Sequence, residues 1–433
     1  MPSQATQVYA SVFRYVLSHF QPLIIETGDE TIPTCDRCRR GKLYCDRNST
    51  PRPLLATTRT ATAPDVDGAL PALQDHGIAR LFNHYIQHLG PWYDLSDDKR
   101  HFTRVVPQEA LHSPLLFNAI IAFAAVHCSR TGIAGLRPIA EQYHALCVEL
   151  IIALDDVAIQ SDRGTALAAV CLLRSYEILA EDSDPNRHLA GAYALAAGRS
   201  VTGACPSLVS AGFFNYLRED ITFSLINRTP LKLDTTVYAT HDLAAEQTAH
   251  TNGSTAENYL NLVTLILADT INLAFRDGQV DSFRAKMLEN RLQCWVDALP
   301  ARSRPYYTED SQVDGEALPR IYMFSDAHVA IRQYHIVISS IMMAYTKDEH
   351  ARCNNTADQL ARELCGLAFT SGIQSVLVNS YGPIAYCGAQ LRSQGMQVEL
   401  VKRLIASCKA TGWPVQRIVR DLELCWAQKG HLG

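Results

Sequence analysis

The stretch SPLLFNAIIAFAAVHCSR, residues 113–130, decides how the rest of the chain is read. Ser113-Pro114 is a helix start: a hydroxyl that can cap free N–H groups, then a proline suited to the first turn. The residues that follow are apolar on nearly all sides, with no period of two, so the segment reads as a central buried helix. Such a helix must be surrounded by others, and the flanking sequence supplies them. Residues 78–95 place Leu81, Tyr85 and Leu89 at four-residue steps before a stop at Gly90-Pro91. Residues 138–156 and 164–182 continue the helical pattern. Asp184-Pro185 opens another segment over 186–200, whose Ala and Gly content permits close helix approach. Residues 206–227 read as a long amphipathic helix ending at Thr229-Pro230.

Beyond a polar loop at 240–256, helical spacing resumes over 257–275 and 280–299. A second polar loop spans 300–317 and carries Pro305, Tyr306 and Tyr307. Residues 319–345 read as one long helix, and four more helical patterns follow at 356–372, 380–392, 397–412 and 414–428. No alternating strand pattern competes in this region. The expected fold is therefore all-α: a large multi-helix domain over 76–430, preceded by a flexible linker and a small head. The linker is residues 47–75, rich in Thr, Ala and Pro and without helical period.

The head is CDRCRRGKLYCD, residues 35–46. Cys35, Cys38 and Cys45 stand at C-x2-C-x6-C spacing with basic residues between them. A C-x2-C turn can bring two thiolates to one zinc ion, and the third can arrive from the end of a short following helix. Metal binding makes thiolates of cysteines that would otherwise stay protonated near neutral pH. The basic residues held beside the metal would face phosphates.

This string resembles the first half of the fungal Zn2Cys6 binuclear cluster. It has the family's Arg after the second cysteine (Arg39), a Lys three residues before the third (Lys42) and an Asp after it (Asp46). The resemblance implies Zn2+ as cofactor, with Cys35, Cys38 and Cys45 as ligands. It implies that Lys42 reads base edges of CGG-type DNA sites and that Arg37, Arg39 and Arg40 contact phosphates. Position 41, often basic in the family, is Gly41 here. The second half of the cluster is missing, since the next cysteine after Cys45 is Cys128. Three thiolates do not satisfy two tetrahedral zinc ions. They hold at best one ion with an outside fourth ligand such as Asp46, His76 or water. The chain is either a degenerate member of the family or a sequence that has lost a segment after Arg47.

The helical region resembles the fungal-specific transcription factor domain that follows such clusters, in strings such as HLGPWYDLSDDKRHF at 88–102 and FFNYLREDITFSLINRTPLKLD at 213–234. The resemblance implies a nuclear regulator of RNA polymerase II transcription, with homodimers, protein partners or a small-molecule effector as expected company. The linker carries no heptads, so a coiled-coil dimer contact is not visible. The alternative reading is a helical interaction module without DNA affinity of its own.

Composition bounds these readings. The 433 residues are 47% hydrophobic and 19% charged, enough to bury a large core, with a formal net charge of −5. General polyanion binding is excluded, and any nucleic-acid contact must be local, as in the basic stretch 35–60. Outside the head, the cysteines lie mostly in apolar helical contexts and read as buried reduced thiols. The first 34 residues lack a basic start and a cleavage site, and Arg14, His19 and Pro22 interrupt their apolar run. They read as neither signal peptide nor membrane span, but as a short amphipathic helix or an artefact of the start site.

Nothing in the sequence names a reaction, and an enzyme is not expected. Phosphate-binding glycine loops, HExxH and Gly-x-Ser-x-Gly are all absent. His84 and His88 have the i,i+4 spacing that can hold a metal, though a partly exposed helix face is the simpler reading. His127-Cys128 read as satisfied core residues, Asp97-Asp98 as solvated helix-end carboxylates, and Trp92-Tyr93 as packing.

Overall fold

The computed structural model describes residues 69–153, 163–181, 207–233, 255–276, 281–309, 317–346 and 350–430. The head at Cys35, Cys38 and Cys45, with Arg37, Arg39, Arg40 and Lys42, lies outside the described residues. So do most of the linker and the segment 186–200. The described chain is all-α. Its helices are α1 His76–His84, α2 Val106–Glu109, α3 Pro114–Arg130, α4 Arg137–Ala153, α5 Arg163–Glu181, α6 Leu208–Asn227 and α7 Ala256–Ala274. Then come α8 Ser282–Ala298, α9 Asp326–Thr346, α10 His350–Thr370, α11 Gln374–Cys387, α12 Gln394–Thr411 and α13 Gln416–Gly430.

Helix starts follow local chemistry. The Ser113 hydroxyl accepts from Leu116 N and Pro114 occupies the first turn of α3. Asp75, Ser207, Asp281 and Ser393 cap α1, α6, α8 and α12 in the same way. Each satisfies an N–H that the helix itself cannot. Helix α3 is buried from Leu115 to Cys128 without a break. It packs on α4, α5 and α1, while α5 continues onto α6. Helix α6 meets α7 and α11, α9 packs on α7, α10 and α11, and α12 and α13 close the far side against α11.

Between α1 and α2 the chain departs from the simple stop expected at Gly90-Pro91. The α1 helix widens into a π turn over Tyr85–Leu89 and then tightens into a 3-10 turn over Gly90–Trp92. A side chain at Gly90 would meet the Phe102 carbonyl and Thr103 Cα at 3.1 Å, so the returning strand of chain packs directly on the backbone there. Tyr85 Oη donates to the Phe102 carbonyl at 3.0 Å and pins this return.

Three expectations are corrected. The helix expected over 319–345 begins only at Asp326, because Ile321–Tyr322 is extended and pairs antiparallel with Tyr307–Thr308. Pro319 has no N–H to give a helix there, and Ser325 instead bonds His328 N and Nδ1 at the helix start. Helix α6 is not amphipathic in the expected sense: Asn215, Arg218, Asp220 and Ser224 are all inside. Asp97 is not a solvated carboxylate. It is buried and accepts from His101 N at 2.6 Å and His101 Nδ1 at 2.9 Å.

Glycine sets how closely α10 approaches the preceding loop. A Cβ at Gly366 would lie 2.4 Å from the Pro319 carbonyl oxygen and 2.8 Å from its Cγ. Backbone cannot yield cheaply, so Gly366→Ala is expected to destabilise by about 1–3 kcal/mol, outweighing any helix-propensity gain. Gly164→Ala, whose Cβ would make contacts no closer than 3.4 Å, is the control and is expected to be neutral or better. Urea unfolding of the two variants checks this, and equal stability would refute the packing argument.

Candidate functional site

A partly polar cleft lies where α5, α6 and α11 meet the 3-10 turn. Its cavity volume is about 40 Å3, and it is lined chiefly by Trp92, Arg174, Asn215, Arg218, Glu219, Asn379 and Trp413. Its walls are tied together by hydrogen bonds. Tyr93 Oη donates to Ser175 Oγ at 2.6 Å. Asn215 Nδ2 donates to the Tyr93 carbonyl at 2.8 Å, and Asn379 Nδ2 to the Trp92 carbonyl at 3.2 Å. The 3-10 turn is thereby bonded to α5, α6 and α11 at once, which orients both aromatic rings.

Two arginines reach this space from helix interiors. Arg174 is 3% exposed and pairs with Glu219, Nη1 to Oε2 at 3.2 Å. Arg218 is 2% exposed and donates to Asn215 Oδ1 at 2.7 Å and to Ser96 Oγ, both neutral. Burial lowers its pKa, while Tyr334, Glu219 and Asp97 act to raise it. A guanidinium remains charged across physiological pH. Arg218 therefore leaves a buried positive charge with no carboxylate in ion-pair contact among the described residues. Its Nε and the Trp92 Nε1 make no hydrogen bond. An arrangement of this kind offers hydrogen-bond donors and positive charge to a small anion. The trace in the sequence is Arg174 within the apolar run of α5 and the polar set Asn215, Arg218 and Asp220 within α6. The spacing that brings them together is tertiary.

On the other side of Trp92 lies a histidine group. His84 Nε2 and His127 Nδ1 are 3.0 Å apart, and the His84 and His88 rings are centred 4.9 Å apart. Burial, then His88, lowers the His84 pKa to about 4. Burial, then His84 and His88, lowers that of His127 to about 3, with the Ala410 carbonyl opposing. His84 thus faces the core rather than an open helix face, and His127 meets another histidine. Trp92 stands edge-on to His127 at 5.4 Å and to Phe123 at 5.8 Å, and 6.3 Å from Trp413. It bridges the histidines and the cleft.

The thiols among the described residues are free. Cys128, Cys147, Cys171, Cys365 and Cys387 are buried, and Cys294 is exposed. No helix among the described residues is long and apolar enough to cross a membrane.

The described residues form an all-α domain with a partly polar cleft between its helices. The fungal specific transcription factor domain matches residues 80–428, well over half of the chain, and the protein belongs to that family. It is a fungal transcription regulator. No curated protein and no solved structure matches it.

Proposed function

We propose that the protein regulates RNA polymerase II transcription in the nucleus by binding DNA through its cysteine head, under control of the helical domain. The observation that carries this reading is order: the family domain at 80–428 directly follows a basic C-x2-C-x6-C string and a linker. Cys35, Cys38 and Cys45 hold one Zn2+, Lys42 reads guanine edges of CGG-type sites, and Arg37, Arg39 and Arg40 neutralise phosphates. A homodimer or protein partner extends the site. The helical domain responds to a small anionic effector seated between Arg218 and Trp92, and it does no catalysis.

Three thiolates and a net charge of −5 favour one second reading, a helical module that acts through partners without its own DNA affinity. Fluorescence anisotropy of the zinc-loaded chain on CGG and scrambled duplexes, over a salt series, separates the two. The proposal expects preference for CGG that weakens steeply with salt and disappears in Lys42→Ala and Cys38→Ser. Equal weak binding to both duplexes would establish the second reading.

A further inference from the structure

The histidine pair beside Trp92 has a geometry that ordinary core packing does not require. Its ring nitrogens face each other at 3.0 Å across 43 residues of sequence. Two neutral imidazoles can share one hydrogen bond in this way, one donating and one accepting. A tetrahedral Zn2+ with bonds of about 2.0–2.1 Å to nitrogen would hold two such atoms about 3.3 Å apart. The pair is therefore within a few tenths of an ångström of that spacing. Cys128 Sγ completes a set of three ligand atoms, all within 4.8 Å of one another.

We propose that His84 Nε2, His127 Nδ1 and Cys128 Sγ form a binding site for Zn2+ inside the helical domain, separate from the cysteine head. Two imidazoles and a thiolate are a donor set that suits zinc, and water or the adjacent His88 supplies the fourth ligand. The entry path is on the same side, because His88 is exposed and His84 is half-buried while His127 and Cys128 are covered. On binding, the proton in the His84–His127 contact moves to the outer nitrogen of its own ring. The thiol loses its proton to solvent, so each ion taken up releases one proton. With His127 coordinating through Nδ1, its proton sits on Nε2, a buried atom that makes no hydrogen bond in the fold.

The site joins elements that the sequence keeps apart. His84 ends α1, the first helix after the linker, and His127-Cys128 lie near the end of the central α3. A bound ion ties the domain's entry point to its core and steadies Trp92, which packs on His127 and lines the cleft. Zinc occupancy would then set the shape in which any effector finds the cleft.

The test uses the full-length chain, stripped of metal by a chelator and titrated with Zn2+ against a chromophoric indicator. Two changes are compared: the head variant Cys35→Ser/Cys38→Ser/Cys45→Ser, and the same variant with His84→Ala. The head variant is expected to keep one bound Zn2+ and release one proton per ion. Adding His84→Ala is expected to weaken that equivalent at least tenfold, with unchanged helical content in the metal-free state. Retention of the equivalent with His84→Ala, or its absence from the head variant, overturns the proposal. The head variant loaded with Co2+ gives a second readout that needs no change in the domain. A thiolate-to-cobalt charge-transfer band is expected, and its absence removes Cys128 from the site.

Discussion

Phe123→Ala is expected to cost about 3–5 kcal/mol, the largest single loss from any one side chain considered. Phe123 is 0% exposed and sits at the middle of α3, which is itself buried along its length. Its ring stands edge-on to Trp92 at 5.8 Å and to Tyr93 at 6.2 Å. Tyr93 in turn stacks on Phe102 at 4.8 Å. Truncation removes dispersion and apolar burial together, and the remaining rings cannot collapse into the gap. They are held from behind: Tyr93 bonds Ser175, Asn215 bonds the Tyr93 carbonyl, and Asn379 bonds the Trp92 carbonyl. The loss therefore reaches the cleft as well as the core. Urea unfolding measures it, and a change under 1 kcal/mol, an ordinary surface effect, would show that this part of the core is loosely packed.

Acid is expected to unfold the metal-free protein through its buried histidines. His127 titrates at about 3 in the fold, and His84 and His335 at about 4, against 6.5 for an unperturbed histidine. Burial is the leading cause for all three. Below pH 6.5 the unfolded chain therefore binds protons that the folded chain refuses, so stability falls as pH falls. A fully neutral buried histidine contributes a loss of about 1.4 kcal/mol per pH unit in this window, or about 2 kcal/mol by pH 5 for His127. His84 is more open to solvent, and its share is smaller. Asp94 acts the other way: burial raises its pKa to about 6, so its protonation below that point favours the fold. The clean comparison is with His127→Gln, in which the Asp94 contribution is unchanged. Stability of the wild type is expected to drop about 2 kcal/mol more than that of the variant between pH 7 and pH 5. Parallel pH curves would mean that His127 is protonated in the fold.

Much of the architecture is written in local chemistry. Ser113-Pro114, Asp75, Ser207, Asp281 and Ser393 cap helices because a side-chain oxygen needs only an N–H two or three residues ahead. The continuous apolar run of α3 requires burial on every side, and that alone implies helices packed around it. The all-α class and the Ser113-Pro114 start were legible for this reason, whereas the helices expected from 319, 356 and 380 begin at Asp326, His350 and Gln374. The π and 3-10 turns over Tyr85–Trp92 were not, because they exist to admit the Phe102–Thr103 backbone, which local pattern does not contain. The same holds for residues 321–322, extended because a partner strand lies beside them.

The sites divide along the same line. The cysteine head is a candidate read from spacing, since its three cysteines lie within eleven residues of each other. Sequence by itself therefore determined an all-helical fold and the Ser113-Pro114 start of its central helix, and it offered a basic C-x2-C-x6-C string as a candidate zinc site. Tertiary structure decided what the interior does. Arg218 meets Ser96 across 122 residues, and His84 meets His127 across 43. In the sequence Arg218 stands in a charged run with Glu219 and Asp220, and His84 stands one turn before His88, with nothing to show which distant partner either one meets. Its meaning depends on which groups share its small volume of low-dielectric space, and only the packing of the helices brings those groups within reach.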